Sequence, residues 1–480
     1  MTVQARTVVE PPAGTPVPSV RAARVVSPLA FAGMTAAFTQ TILIPIQGEL
    51  PQLLNASSGD TAWVITITLL VAAICTPISG KLGDMYGKRR IALILLGVLI
   101  LGSMVAALSP TVVPLIVGRG LQGMGMGVIP LGIAILRDAL PADKLGSAIA
   151  LVSATLGVGG ALGLPISAFV TEHFDWHVLF WFAAGLGVTA FVLISTLVPE
   201  SNLRVGGRVD GVGIVGLAIG LTGVLLAISR GNDWGWTSPR TVVSLAGGLA
   251  VLLVWGWLEL KIREPLVDLR VSARRPVLLT NLASIAMGFA LFSSQIAFPQ
   301  LLELPTEVGG LGKPLLQASM HLMPAGLAML AMSPVAGRLS RRWGPKPLLV
   351  SGAMIMACGY AIAVLSDLQA GHILVINLLI GIGIGLGYAA MPTLIMRAVP
   401  ASETGAANGL NTLMRSLGTA TAAAVIAAVL ARYSVDFGGV DVPSADGFEV
   451  AFLFGLGAAA LCTVIALFIP RSEPASHGTE

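Results

Sequence analysis

Thr76-Pro77-Ile78-Ser79-Gly80-Lys81-Leu82-Gly83-Asp84-Met85-Tyr86-Gly87-Lys88-Arg89-Arg90 closes one long apolar run of the chain. Ser333-Pro334-Val335-Ala336-Gly337-Arg338-Leu339-Ser340-Arg341-Arg342-Trp343-Gly344-Pro345-Lys346-Pro347 closes another. Pro77/Pro334, Gly80/Gly337, Leu82/Leu339 and Gly87/Gly344 recur at one offset, 257. Farther on, Gly-Met-Gly-Met-Gly from Gly123 to Gly127 matches Gly-Ile-Gly-Ile-Gly from Gly381 to Gly385 at an offset of 258. The chain is therefore built twice over. Internal repeats of this size are how many secondary transporters set a substrate site at the midplane between two halves.

Composition says what solvent the repeats meet. Apolar residues fill 55% of 480 positions and charged residues only 11%, against about 25% charged in a soluble domain. Mean hydropathy is +0.87. So little charge cannot cover a chain of this length against water, and lipid is expected around most of it. The net charge of +4 does not indicate a nucleic-acid partner, because the basic residues sit in short segments between apolar runs. Cys75, Cys358 and Cys462 all lie in apolar stretches and none has metal-ligand spacing, so neither disulfides nor a metal is expected.

A helix needs about 20 apolar residues to cross the hydrocarbon core. Fourteen runs qualify: 27–50, 61–80, 91–109, 112–134, 145–170, 177–198, 211–229, 240–259, 276–300, 314–336, 347–366, 371–396, 404–431 and 448–470. The polar, Pro-rich stretch 1–24 reads as a cytoplasmic tail, and the first run is too long for a signal-peptide core. With that tail inside, 22 of the 28 Lys and Arg fall on the inner side. Arg230, Arg240, Lys313 and Arg432 fall outside, and Arg119 and Arg415 within helices. Such asymmetry fits the positive-inside rule and puts both termini in the cytoplasm. The expected fold is an all-α polytopic membrane protein of two six-helix bundles, 25–200 and 271–470, with two extra helices and linkers in 201–270 and a short tail, 471–480.

The motifs on this frame resemble the major facilitator superfamily over nearly the whole chain, and within it the fourteen-helix drug:proton antiporters. Gly80 to Arg90 looks like the superfamily's signature between the second and third helices, with Gly80, Asp84, Gly87, Lys88 and Arg89 as its gate residues. Its glycines allow a tight turn, and Asp84 is suited to face the N-terminus of a neighbouring helix. Gly118-Arg119-Gly120-Leu121-Gln122-Gly123 resembles the family's fourth-helix motif. The same residues satisfy G-x-G-x-x-G, but no strand precedes them and a dinucleotide site is excluded. Gly159, Gly163 and Pro165 in the fifth helix resemble the antiporter-associated motif, although Leu164 parts the usual Gly-Pro pair and Ser167-Ala168 replaces Gly-Gly. Asp175 to Phe182 and Asn408 to Gly418 are similar to the sixth and thirteenth helices of this subgroup.

No ATP site accompanies them. Gly309-Gly310-Leu311-Gly312-Lys313-Pro314 fails the G-x-x-x-x-G-K-[ST] pattern, so an ion gradient must supply the energy, with no cofactor. The subgroup often carries an aspartate in helix one, where this chain reads Phe38-Thr39-Gln40-Thr41-Ile42. The 24 carboxylates all fall at helix ends, loops or tails. Candidates for coupling are then Arg119, Arg415, Glu49 and His321, the last because a histidine titrates near neutral pH. Gln40, Gln295, Tyr388 and Asn411 are candidates for a cavity wall. The reading these features favour is a bacterial cell-membrane exporter of lipophilic drugs or secondary metabolites, exchanged for protons, and not an enzyme. The alternatives are a proton-coupled importer of a small metabolite on the same fold and a non-transporting membrane protein.

Overall fold

The computed structural model describes residues 19–46, 49–200, 210–262, 265–400, 403–437 and 440–470. The tail residues 1–18 and 471–480, and the linker 201–209, lie outside the described residues. Fourteen helices are long and apolar enough to cross a membrane. They are α1 (Ser19–Thr41), α2 (Ser58–Tyr86), α3 (Lys88–Ala107), α4 (Val112–Ala139), α5 (Ala142–His173), α6 (His177–Leu197) and α7 (Gly211–Trp234). The second seven are α8 (Pro239–Glu259), α9 (Arg275–Glu303), α10 (Leu315–Trp343), α11 (Pro345–Leu365), α12 (Ala370–Ala398), α13 (Thr404–Arg432) and α14 (Ala445–Leu467). A two-stranded hairpin, β1 (Ser434–Phe437) and β2 (Val440–Pro443), joins α13 to α14 and is the one addition to the all-α expectation among the described residues.

One helix is displaced from its expected place. The run 27–50 predicted a first span there, and 1–24 a tail, whereas α1 begins at Ser19 and ends at Thr41. Pro45 accounts for the end, since a proline ring clashes with the carbonyl four residues back, here that of Thr41. Arg24, exposed, lies near the other end, where a long basic side chain reaches the membrane surface. Glu49 accordingly lies beyond α1, exposed, at the N-cap of the short helix Leu50–Leu53.

The repeat has a backbone cause at one pair of positions. Gly87 and Gly344, 257 residues apart, both have positive φ (106° and 84°) and make the α2–α3 and α10–α11 turns. A side chain is strained in that region and glycine is not. The Gly123–Gly127 run carries a single 3₁₀ turn within α4, where a Cβ on Gly127 would stand 2.3 Å from Ser79 Oγ of α2. Its counterpart lets α12 against α10, since a Cβ on Gly381 would lie 2.1 Å from the Ala325 carbonyl.

Helices α1–α6 pack on one another, as do α9–α14, and the two sets meet chiefly along α2–α13 and α5–α10. The inserted pair packs as a hairpin, with α7 laid against both α2 and α13. Leu70 and Ala73 of α2, Leu217, Leu221 and Leu225 of α7, and Leu410 and Leu413 of α13 share one apolar cluster. The insertion thus covers the seam between the bundles, while α8 turns Val243, Leu253 and Val254 outward. Those exposed apolar faces are what a lipid-solvated surface requires.

Candidate functional site

At the end of the molecule that carries the repeated motif, the bundles are clasped twice. Asp84 is in the last turn of α2 and only 3% exposed. Its carboxylate accepts hydrogen bonds from the backbone N–H of Gly405 (3.3 Å) and of Ala406 (3.1 Å), in the first turn of α13. These donors have no partner within their own helix, and the positive end of the helix dipole favours an anion there. The approach needs glycine, for a Cβ on Gly80 would sit 2.3 Å from the Gly405 carbonyl and one on Gly409 2.6 Å from that of Thr76.

Lys88 compensates the buried charge. Its ammonium lies 3.7 Å from Asp84 and 2.7 Å from Asp138, at the end of α4. The neighbouring Arg137 also crosses the seam. It donates to the carbonyls of Val399 (3.3 Å) and Pro400 (3.4 Å) beyond α12, and to Thr404 Oγ1. Lys81, Glu403, Asp268 and Arg274 continue this charged layer. Burial pushes the Glu403 carboxyl above its usual range and Asp268 adds to that, while Lys81 and Arg274 oppose it. Arg89 faces its own bundle, donating to the carbonyls of Ser195 and Ile194 at the end of α6.

The second clasp is the copy of the first. Arg341 of α10 donates to Ser147 Oγ (2.8 Å) and the Asp143 carbonyl (3.4 Å) in the opening turns of α5. A Cβ on Gly337 would lie 2.4 Å from Ser147 Oγ, and one on Gly326 2.5 Å from the Gly157 carbonyl. Arg137, Asp138, Ser147 and Thr404 were not singled out in the sequence. The signal for the first two was a paired cation and anion at the end of the helix bearing Arg119.

Deeper in the spans, Arg119 is 1% exposed and makes three side-chain hydrogen bonds. It donates to the carbonyls of Thr39 on α1 and Val64 on α2 (3.2 Å), and to Gln122 Oε1 (2.9 Å). Gln122 in turn donates to Ser103 of α3 at 2.9 Å, so the four-helix knot has an arginine at its centre. His321 is elsewhere: on α10, its Nδ1 lies 2.7 Å from the Gln317 carbonyl one turn back. The structure does not bring His321 to Arg119, whose guanidinium is held by acceptors on α1, α2 and α4.

Gly159 and Gly163 let α5 lie against α1, where Cβ atoms would stand 2.4 Å from the Met34 carbonyl and 2.1 Å from Thr41 Oγ1. Pro165 follows within α5. Ser167, one of the departures noted above, donates to the Ile42 carbonyl just past the end of α1, an acceptor a glycine would leave empty. Gln40 and Gln295 are half-buried. Tyr388 lies under the Arg415 guanidinium, 4.7 Å from ring centroid to Cζ. Asn411 donates to Asn281 (3.0 Å) and Ser284 (2.6 Å) of α9. Apart from these, a cavity of about 270 Å³ lies between α7 and α8, bounded by Val212, Gly216, Trp255 and Glu259.

Two helical bundles clasped at one end by matched motifs, with mid-span arginines and a lipid-facing surface, define a transporter of the two-bundle type. The Major Facilitator Superfamily model matches residues 29–423, and the chain belongs to that superfamily. The lincomycin resistance protein LmrB of Listeria monocytogenes is 26% identical over 469 residues, 95% of this chain and 98% of that protein. The multidrug resistance protein Stp of Mycobacterium tuberculosis is 26% identical over 379 residues, 77% of this chain and 69% of Stp. Among solved structures, the proton:xylose symporter XylE superposes with a TM-score of 0.64 at 14% identity, covering 94% of this chain and 96% of XylE, which is a likeness of fold.

Proposed function

We propose that this chain exports lipophilic drugs or secondary metabolites from a bacterial cell by alternating access, in exchange for protons. The observation that carries the reading is the hold of Asp84 on the first turn of α13, repeated by Arg341 on α5. Contacts of this kind close one end of the pathway and must break when it opens. The distribution of Lys and Arg favours placing that end in the cytoplasm. The closed clasp then corresponds to the state in which substrate has been moved outward.

Drug export is favoured over import by what the relatives are named for and by the confinement of the carboxylates to helix ends, loops and tails. A lipophilic compound is drawn from the bilayer, and such a pathway needs little fixed charge. For the proton, Asp84 is the best-placed group, because it shares one ammonium with Asp138 and holds the opposite bundle. Protonation removes the charge that the α13 N-terminus attracts and loosens the clasp. His321 and Glu49 are the other titratable candidates.

Expression in an efflux-deficient bacterium tests the direction. Export raises resistance to several unrelated lipophilic compounds; unchanged or greater susceptibility, with the protein present in the membrane, overturns it.

A further inference from the structure

Among the described residues, Arg119 and Arg415 lie well inside their spans rather than at the ends, and their charges are met very differently. Arg119 has three oxygen acceptors. Arg415 stands eleven residues into α13, roughly 16 Å along the axis at 1.5 Å per residue, close to the middle of a hydrocarbon core about 30 Å thick. Among the described residues it has neither a hydrogen-bond acceptor nor a carboxylate, and its partner is the face of Tyr388 on α12. An aromatic face attracts a guanidinium but fills none of its five N–H donors. Arg415 as a whole residue is half-buried.

The surroundings are built around this group. Tyr388 is 3% exposed and its hydroxyl has no partner. Gly288 of α9 leaves the arginine stem its room, for a Cβ there would stand 3.2 Å from Arg415 Cγ and 2.5 Å from its carbonyl oxygen. One turn earlier on α13, Asn411 bonds to Asn281 and Ser284, so the amide layer beside the arginine is satisfied by itself. What remains unfilled is a guanidinium, which can only donate, and a phenol hydroxyl, which can donate beside it. A cation in the membrane interior without a counter-ion is costly, and such residues mark substrate or ion pathways. The missing complement is an anion with two acceptor oxygens, which matches a guanidinium edge.

We propose that Arg415 and the Tyr388 hydroxyl bind the carboxylate of an amphipathic organic acid, whose apolar remainder lies along the surrounding helices. This names a substrate class for the exporter, and it rests on that reading for the direction of movement but not for binding.

Equilibrium binding tests it without reference to transport. The purified full chain in nanodiscs is titrated at pH 7 with pyrenebutyrate and with its uncharged amide, with empty nanodiscs subtracted. The wild-type protein is expected to bind the acid at least tenfold more tightly than the amide. Arg415→Gln brings the acid down to the affinity of the amide and leaves the amide unchanged, which also shows that the variant is folded. Tyr388→Phe keeps the ring beneath the guanidinium, removes one donor, and weakens the acid several-fold without moving the amide. It decides the matter if Arg415→Gln is not recovered. No preference in the wild type, or equal loss of acid and amide in either variant, overturns the site. Displacement of the acid by chloride at equal concentration makes it an inorganic-anion site and overturns the assignment of class. Tight, Arg415-dependent binding together with no rise in drug resistance leaves this site standing while export fails.

Discussion

Asp84 and Arg341 stand at the same position of the two repeats, 257 residues apart, and each reaches across the seam to the opening of a helix in the other bundle. They are not equal. Asp84 is a buried anion on the N–H groups of α13, where the helix dipole favours it. Arg341 is an exposed cation at the N-terminal end of α5, where the dipole opposes it, and it holds on through a hydroxyl and a carbonyl. The duplicated fold therefore carries one strong clasp and one weak one.

Asp84→Asn should abolish transport or slow it more than tenfold while membrane expression stays near normal. Hydrogen bonds to a charged group contribute about 1.5–3 kcal/mol, and each 1.4 kcal/mol is a factor of ten in the balance between two states. Efflux of a fluorescent substrate, normalised to protein in the membrane, reads this directly. Full activity in a well-expressed variant reduces the motif to a membrane anchor.

Arg341→Ala, measured the same way, should cost much less. Exposed polar pairs contribute about 0–1 kcal/mol, so efflux is expected to remain within roughly fivefold of wild type. A loss as deep as that of Asp84→Asn contradicts the inequality of the two clasps.

The sequence could show the clasp's first half and not its second. Gly80, Asp84 and Gly87 were legible because turn geometry and close approach leave glycines at fixed spacing. That Asp84 meets Gly405 and Ala406 depends on two segments 321 residues apart, and no local pattern carries it. Arg119 shows the same limit: its position in a span was plain, yet its acceptors are backbone carbonyls, which every residue possesses. The fourteen spans were legible from hydropathy, whereas the end of α1 is set by Pro45 inside an otherwise apolar run, which hydropathy alone does not register.

Arg119→Lys should lose most of the protein from the membrane, since an ammonium on a different stem cannot meet the Thr39 and Val64 carbonyls and Gln122 together. His321→Ala should leave expression intact, because that side chain bonds to its own helix. Uphill transport with an unchanged pH profile in His321→Ala assigns the histidine to packing. Loss of proton-driven accumulation with retained exchange makes it the proton carrier and displaces Asp84 from that role.

In a cysteine-free background, single cysteines in 52–60 and 434–446 should react with an impermeant thiol reagent applied to intact cells. Those in 203–209 and 265–273 should react only after permeabilisation. The reverse pattern would place the clasp on the outer face and invert the proposed cycle.

Transport into inside-out membrane vesicles tests proton-driven export most directly. A lipophilic fluorescent substrate is added outside vesicles whose lumen has been acidified. The account predicts accumulation against the gradient, abolished by nigericin and by Asp84→Asn. Accumulation that survives collapse of the proton gradient, or that occurs only in right-side-out vesicles, would contradict it.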